Sequence, residues 1–503
     1  MQRVPIARLS FDHLSPVIGA RSAVRLRNVI DEARVVLDGR VVWHINSSAQ
    51  GGGVAEMLQT LLAYECGAGL DVRWLVTDGD GPYFNITKRI HHRLHGQNGD
   101  GGLLSTYEHK HFARVTKRNG EQVLATVRSG DIVVLHDPQT IGLTPVLRRA
   151  GALVVWRCHI GQDEMNRAAD EAWQFLRPYV EQAHACIFSR AAYVPAWLSS
   201  ESAFIIPPAI DALSTKNQSM SRATARNILT HIGLLAGYAR SNDLEFTRLG
   251  RSPGRVTRRA EIIQTRPVPG SAVPLVVQVS RWDPLKDMAG VLHGFADQRH
   301  RMGDAHLALV GPDPRSVTDD PEGLRVFQDC VAQWAELAPS AQERIHLVCL
   351  PMADIDENAA MVNASQRHAA VVVQKSLREG FGLTVTEAMY KGRPVVASKV
   401  GGIQDQIADG VHGLLVNDPT DTLACGDAIA RLLADKALAR RLGRNARRRA
   451  IAEFLAPRQL IQLLDLLYAV AGKPRRLNNR PKKERRNRAA TSDRRRQIVF
   501  NTR

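Results

Sequence analysis

Two carboxylates, Glu379 and Glu387, stand eight residues apart on either side of a turn that begins Gly380-Phe381-Gly382. Upstream, residues 371–376 (VVVQKS) read as a short buried strand, and downstream, residues 385–390 (VTEAMY) read as the opening of a helix. A strand, a glycine turn and a helix leave N–H groups of the first helical turn unpaired and aimed at one point. Those free donors and the helix dipole both favour an anion there. Glu379 precedes that point and Glu387 lies within the helix, so the two can hold opposite ends of one long ligand. A sugar nucleotide has this layout, with the diphosphate in the middle, the sugar at one end and the ribose at the other. The same turn is also a common plain connector, so the motif by itself leaves both readings open.

Arg281 and Lys286 place two cations five residues apart in SRWDPLKD (280–287), directly after another apolar strand. Beside the glycine turn they would bracket a diphosphate. A leaving diphosphate gains charge as the glycosidic bond breaks, so fixed cations stabilise that transition state more than the ground state. Taken alone the pair is also an ordinary surface Arg and Lys. The run Gly51-Gly52-Gly53 lets a ligand approach the backbone closely and precedes a second helix. His159, in WRCHIG (156–161), can donate to a sugar hydroxyl from an opposing wall, although a packed histidine fits the spacing equally well. Asp78 and Asp80 have Asp-x-Asp spacing, but Gly79 and Gly81 mark a turn, and no metal site is expected.

The elements that must position these groups alternate along the chain. After a helical preamble, short apolar strands are predicted at 41–46, 71–76, 131–135, 152–157, 185–189 and 203–206, mostly with helices between them. The pattern weakens over 213–273, read as an interdomain region with a flexible insertion around 240–273. It resumes with strands at 275–279, 305–310, 345–349, 370–374, 394–398 and 413–416. The expected organisation is an α/β chain of two doubly wound parallel-sheet domains facing a cleft, 1–212 and 274–450. A terminal helix (451–471) and a disordered basic tail (472–503) follow. The candidate residues fall at carboxyl ends of strands, where such sheets hold their ligands.

Composition supports this class. A length of 503 residues, 44% hydrophobic and 23% charged, suits two soluble domains. No apolar run approaches the roughly 20 residues that span a bilayer. The N-terminus lacks the apolar core of a signal peptide, and a cytoplasmic location is expected. Six scattered cysteines suggest neither a zinc site nor a disulfide framework. Of the formal charge of +17, the tail from Gly472 carries +11, with 13 Lys or Arg against 2 acids. It lacks interleaved aromatics, which leaves weak, salt-sensitive polyanion binding as its expected property.

The motifs together resemble a retaining GT-B glycosyltransferase of the sucrose and glycogen synthase-like family, and more narrowly the trehalose glycosyltransferring synthases. The narrower match rests on HINSSAQGGGVAEML (44–58), FNITKRIHHRLHG (84–96), LHDPQ (135–139), VVWRCHI (154–160), QVSRWDPLKD (278–287) and QKSLREGFGLTVTEAMYKGRPVVASKVGGI (374–403). The resemblance implies transfer of glucose from a nucleoside diphosphate glucose (ADP- or UDP-glucose) to free glucose, giving α,α-trehalose reversibly. It implies that His159 and Glu379 hold the donor sugar and Arg281 and Lys286 the diphosphate. It places the Gly380, Phe381, Gly382 and Leu383 backbone at the phosphate, Glu387 on the ribose, and Gly52 and Gly53 along the phosphate and acceptor region. No cofactor is required; Mg2+ is a candidate stimulant through the nucleotide diphosphate, and a homodimer is a candidate assembly. Gly161-Gln162 stand where related enzymes often carry an acid. Two alternatives remain: a trehalose phosphorylase of the same fold, and a polyanion-binding protein acting through its tail.

Overall fold

The computed structural model describes residues 1–49, 52–240, 243–248, 250–265, 268–316 and 321–472. The basic tail, Gly51 and parts of the expected insertion therefore lie outside the described residues. Seven strands form the first sheet: β1 (Gln2–Val4), β2 (Val42–Asn46), β3 (Val72–Val76), β4 (Ile132–His136), β5 (Leu153–Cys158), β6 (Ala185–Phe188) and β7 (Ala203–Ile205). Their order is β1-β3-β2-β4-β5-β6-β7, with every pairing parallel except β1 against β3. These strands read as unbroken apolar runs because both faces are covered. Val42, Val134 and Val155 join one core on one face, while Trp43, Val133 and Trp156 join another on the opposite face.

A small hairpin, β8 (Glu245–Thr247) and β9 (Pro253–Arg255), follows the first domain. The second sheet comprises β10 (Glu261–Ile263), β11 (Leu275–Val279), β12 (His306–Pro312), β13 (Ile345–Leu350), β14 (Val371–Gln374), β15 (Val395–Ser398) and β16 (Leu414–Val416). Its order is β10-β13-β12-β11-β14-β15-β16, and only β10 runs antiparallel. The segment read as interdomain thus supplies an edge strand of the second sheet. The sheet order reverses beside β2 and β4 in one domain and beside β11 and β14 in the other. Such switch points open crevices at strand carboxyl ends.

The last helix, Ala456–Val470, returns to the first domain. Tyr468 Oη donates to Val29 O at 2.8 Å, and Arg458 Nη2 donates to Pro207 O and Pro208 O at 3.0 and 3.1 Å. Leu460, Leu463 and Leu467 join an apolar cluster that continues from the first sheet to Val277 of the second and to Val385 on the helix Leu383–Tyr390. Among the described residues no helix is long and apolar enough to cross a membrane.

Candidate active site

Lys286 ends a short turn, Pro284–Lys286, that leaves β11. Gln278 within β11 fixes that turn by donating to Lys286 O at 2.7 Å and accepting from Lys375 N at 3.2 Å. Leu377 N donates to Leu285 O at 2.8 Å, which draws the loop after β14 alongside. The result is an ion pair between Lys286 Nζ and Glu379 Oε2 at 2.6 Å, with the Ser376 hydroxyl 3.3 Å from the same oxygen. Arg281 lies on the same loop but is exposed, and its guanidinium donates to Asp283 at 3.2 Å. The two cations predicted as a bracket therefore differ in setting, Lys286 held at the carboxylate and Arg281 at the rim.

Gly382 takes φ +87°, a conformation favourable to glycine, and opens the helix Leu383–Tyr390 with no side chain capping it. Val385 N turns back to Gly382 O at 3.0 Å, which leaves the Leu383 and Thr384 amides as the open donors of the first turn beside Glu379. Phe381 contributes only backbone here, because its ring is buried against Phe454 with centroids 5.9 Å apart. The turn is gripped from both domains. Tyr193 Oη donates to Gly380 O at 2.7 Å and to Glu379 O at 3.2 Å. At Gly401, φ +48°, an added Cβ would lie 1.6 Å from Glu379 O.

Across the cleft, a Cβ on Gly380 would lie 3.6 Å from His159 O and 4.0 Å from a carbon of the His95 ring. Burial pushes His95 down to about 4, against the pull of the Glu379 carboxylate, so its imidazole is neutral at ordinary pH. His95 belongs to the TKRIHHRLHG motif but was not singled out from sequence. Asp163 was also missed. It stands just beyond Gly161-Gln162, where an acid was sought, and its carboxylate accepts from Gly401 N at 2.8 Å and Gln404 Nε2 at 2.9 Å. Asp137 follows β4 with φ +60° and accepts from His159 N at 2.8 Å. Burial raises its carboxyl to about 7, with the His159 amide and Arg157 opposing.

Glu387 lies further along the same helix and is 4% exposed. Gln366 Nε2 donates to it at 3.4 Å, and Lys216 Nζ stands 3.8 Å away. Lys216 also pairs at 2.7 Å with Glu56, on the helix Gly52–Gly67 of the first domain. Lys391 is the next buried cation, donating to Gln366 and Asn217 at 2.7 and 3.0 Å. Burial raises the Glu387 carboxyl and lowers the Lys391 ammonium, while each opposes the other's shift. Gly52 begins the first-domain helix, and a Cβ added to Gly53 would meet nothing within 4 Å. A further buried lysine, Lys375, is tied to Asp287 and donates to Pro419 O at 2.7 Å. Its signal in sequence was faint, a single lysine at the end of an apolar strand. Asp80 caps the helix Gly81–Leu94 by accepting from Tyr83 N at 2.9 Å, which accounts for its place beside Gly81.

Two family models cover most of both domains. Residues 44–195 match the trehalose synthase N-terminal domain, and residues 266–449 match the glycosyl transferases group 1 domain. A trehalose synthase of Rubrobacter xylanophilus is 34% identical over 461 residues, spanning 90% of this chain and 96% of that protein. The chain belongs to the trehalose synthase family. More distant similarity reaches a trehalose phosphorylase of Pleurotus pulmonarius, 26% identical over 80% of this chain and 53% of that protein. Among solved structures, an α,α-trehalose-phosphate synthase (UDP-forming) from Burkholderia vietnamiensis superposes with TM-score 0.60. It is 16% identical over 85% of this chain and 98% of its own, a likeness of fold alone. Family and fold together make this a GT-B glycosyltransferase of two doubly wound domains.

Proposed function

We propose that this chain is a retaining glucosyltransferase that moves glucose from a nucleoside diphosphate glucose to free glucose and so makes α,α-trehalose, reversibly. The observation carrying the proposal is the Lys286–Glu379 pair at 2.6 Å, set on the open amides of the helix that also bears Glu387. One turn then offers a cation and amide donors for a diphosphate, a carboxylate for sugar hydroxyls, and a second carboxylate for a ribose. The membership of the trehalose synthase family supports the same reading.

In this reading the diphosphate draws Lys286 and Arg281 toward it, and the helix amides take up charge as the glycosidic bond breaks. Preorganised donors of this kind lower the barrier because they need no reorganisation during the reaction. Glu379 and His159 hold the sugar, and the leaving phosphate removes the acceptor hydroxyl proton on the same face, giving retention. No cofactor is required, and Mg2+ acts only through the nucleotide. The test is incubation with ADP-glucose or UDP-glucose plus glucose, with the product linkage read by NMR. Formation of α,α-trehalose supports the reading. Trehalose cleavage by inorganic phosphate without nucleotide would assign the chain to phosphorolysis instead.

A further inference from the structure

The first domain buries a line of titratable groups that leads away from the cleft. His44 lies within β2 and pairs in register with Val134, and His136 stands two residues further on in β4. His136 in turn pairs with Arg157, and His159 stands two residues beyond that. Because strand side chains alternate with period two, this spacing sets the three histidines on a diagonal along one face. His44 Nδ1 is 3.1 Å from His136 Nε2, and His136 Nδ1 is 3.1 Å from His159 Nε2. At the far end His44 Nε2 is 3.3 Å from Glu65 Oε2, on the helix Gly52–Gly67. Glu65 and His44 are 0% exposed and His136 is 2% exposed.

Neither Glu65 oxygen nor His44 Nε2 makes a hydrogen bond with a described group; the two approach to 3.3 Å, within ion-pair reach, and the Arg157 charge also acts on Glu65. His159 is half-buried, and its Nδ1 bonds no described group. Burial holds His136 and His159 far below the usual imidazole range, so both rings are neutral. Charged and titratable neighbours are Arg157, with Arg458 beyond it, Cys66 beside Glu65, and Asp137 beside His159. A neutral imidazole carries one N–H and one lone pair. Each ring-to-ring contact uses one of each, so a choice made at Glu65 propagates to His159.

We propose that Glu65, His44 and His136 are positioning residues for His159, forming a one-proton relay that sets whether its Nδ1 meets a sugar hydroxyl as acceptor or as donor. The inference rests on the reading of His159 as a sugar contact. With Glu65 ionised, His44 Nε2–H faces the carboxylate, His136 Nε2–H faces His44 Nδ1, and His159 Nε2–H faces His136 Nδ1. His159 Nδ1 is then a lone pair. When a proton bonds to that Nδ1, the Nε2 proton of His159 passes to His136 Nδ1. The Nε2 proton of His136 passes to His44 Nδ1, and that of His44 to Glu65. Each ring forms one N–H and breaks one. The net change is a neutral Glu65 carboxyl and a His159 that donates.

The experiment is 15N NMR of the full-length protein labelled at histidine, without substrate, read between about pH 5 and pH 9, which brackets imidazole titration. The three rings should share one tautomer and change it together. A ring out of step with its neighbours, or a tautomer that does not change, overturns the relay. Glu65→Gln should lock one tautomer at every pH and remove the same ionisation from kcat/KM. On the disfavoured side kcat/KM should fall roughly tenfold, the worth of one misdirected hydrogen bond. Titration of the Gln variant like the wild type overturns the proposal. If that variant fails to fold, the wild-type spectra decide. The spectra need no turnover, so a failure of the transferase reading remains distinguishable from a failure of the relay.

Discussion

Replacing Glu379 by Gln removes one charge from the cleft and almost nothing else. The side chain keeps its shape, and the backbone carbonyls of Glu379 and Gly380 still accept from Tyr193 Oη at 3.2 and 2.7 Å. The amide oxygen can still accept from Lys286 Nζ, which lies 2.6 Å from the native carboxylate. Both side chains keep some exposure, 18% for Lys286 and 12% for Glu379, so the lost charge pairing is only partly desolvated. Stability should therefore change by about 1 kcal/mol or less, a Tm shift of no more than roughly 4 °C. Catalysis should suffer far more. Loss of one preorganised charge-bearing contact costs on the order of 100-fold in kcat, about 3 kcal/mol at the transition state. Lys286→Ala should cost a similar factor. Because the two groups touch, the double variant should lose much less than the product of the single losses. The assay is trehalose formation from a nucleoside diphosphate glucose and glucose, with melting curves on the same preparations. Turnover of Glu379→Gln within threefold of wild type, or fully multiplicative losses in the double variant, would refute the assignment.

Gly401→Ala should both unfold more easily and lose most activity, because its Cβ would meet Glu379 O at 1.6 Å and φ is +48°; unaltered turnover would show that the turn tolerates displacement. Asp137 gives a pH signature. Its folded carboxyl is raised to about 7 by burial, above the ordinary carboxylate value of about 4, so the folded state binds the proton more tightly than the unfolded chain. That contribution favours folding at low pH and is lost as pH rises from about 4 through about 7. The Tm of Asp137→Asn relative to wild type should therefore climb across this window, and a flat or falling difference would contradict the burial argument. Ending the chain at Gly472 should leave turnover and Tm unchanged while weakening polyanion binding at low salt, since the removed segment carries +11 by composition. A tenfold fall in rate would show that the tail serves catalysis.

The long buried strands were readable from sequence because successive residues of one strand meet two different apolar layers: Ile132 and Val134 join one core, Val133 and Leu135 the other. The two antiparallel edge strands were not. Gln2–Val4 and Glu261–Ile263 are three residues each and owe their conformation to Trp74 and Val348 alongside, not to any pattern of their own. Glu379 and Glu387 were legible because a glycine turn and a helix start lie between them. Glu65 was not, since a lone acid in an apolar helix resembles any tolerated surface residue until His44 is brought beside it. Asp163 and Tyr193 escaped for a related reason. Their carboxylate and hydroxyl act on the backbone of the other domain, and backbone partners leave no mark in sequence.

The return of the helix Ala456–Val470 onto the first domain bears on how the protein is made. Leu455 bridges to Ile210, and Leu460, Leu463 and Leu467 finish a core begun by Leu26 and Leu58. On a ribosome these closing residues emerge about 250 to 260 residues after β7, roughly 13 to 52 seconds later at ordinary synthesis rates. During that interval the first domain carries an uncovered apolar face and cannot reach its final stability. The second domain must be complete, or nearly so, before the first is sealed. A gene fragment ending near residue 212 would thus yield a sticky, unfinished sheet, and supplying the missing helix as a separate peptide would be the natural means of rescuing it.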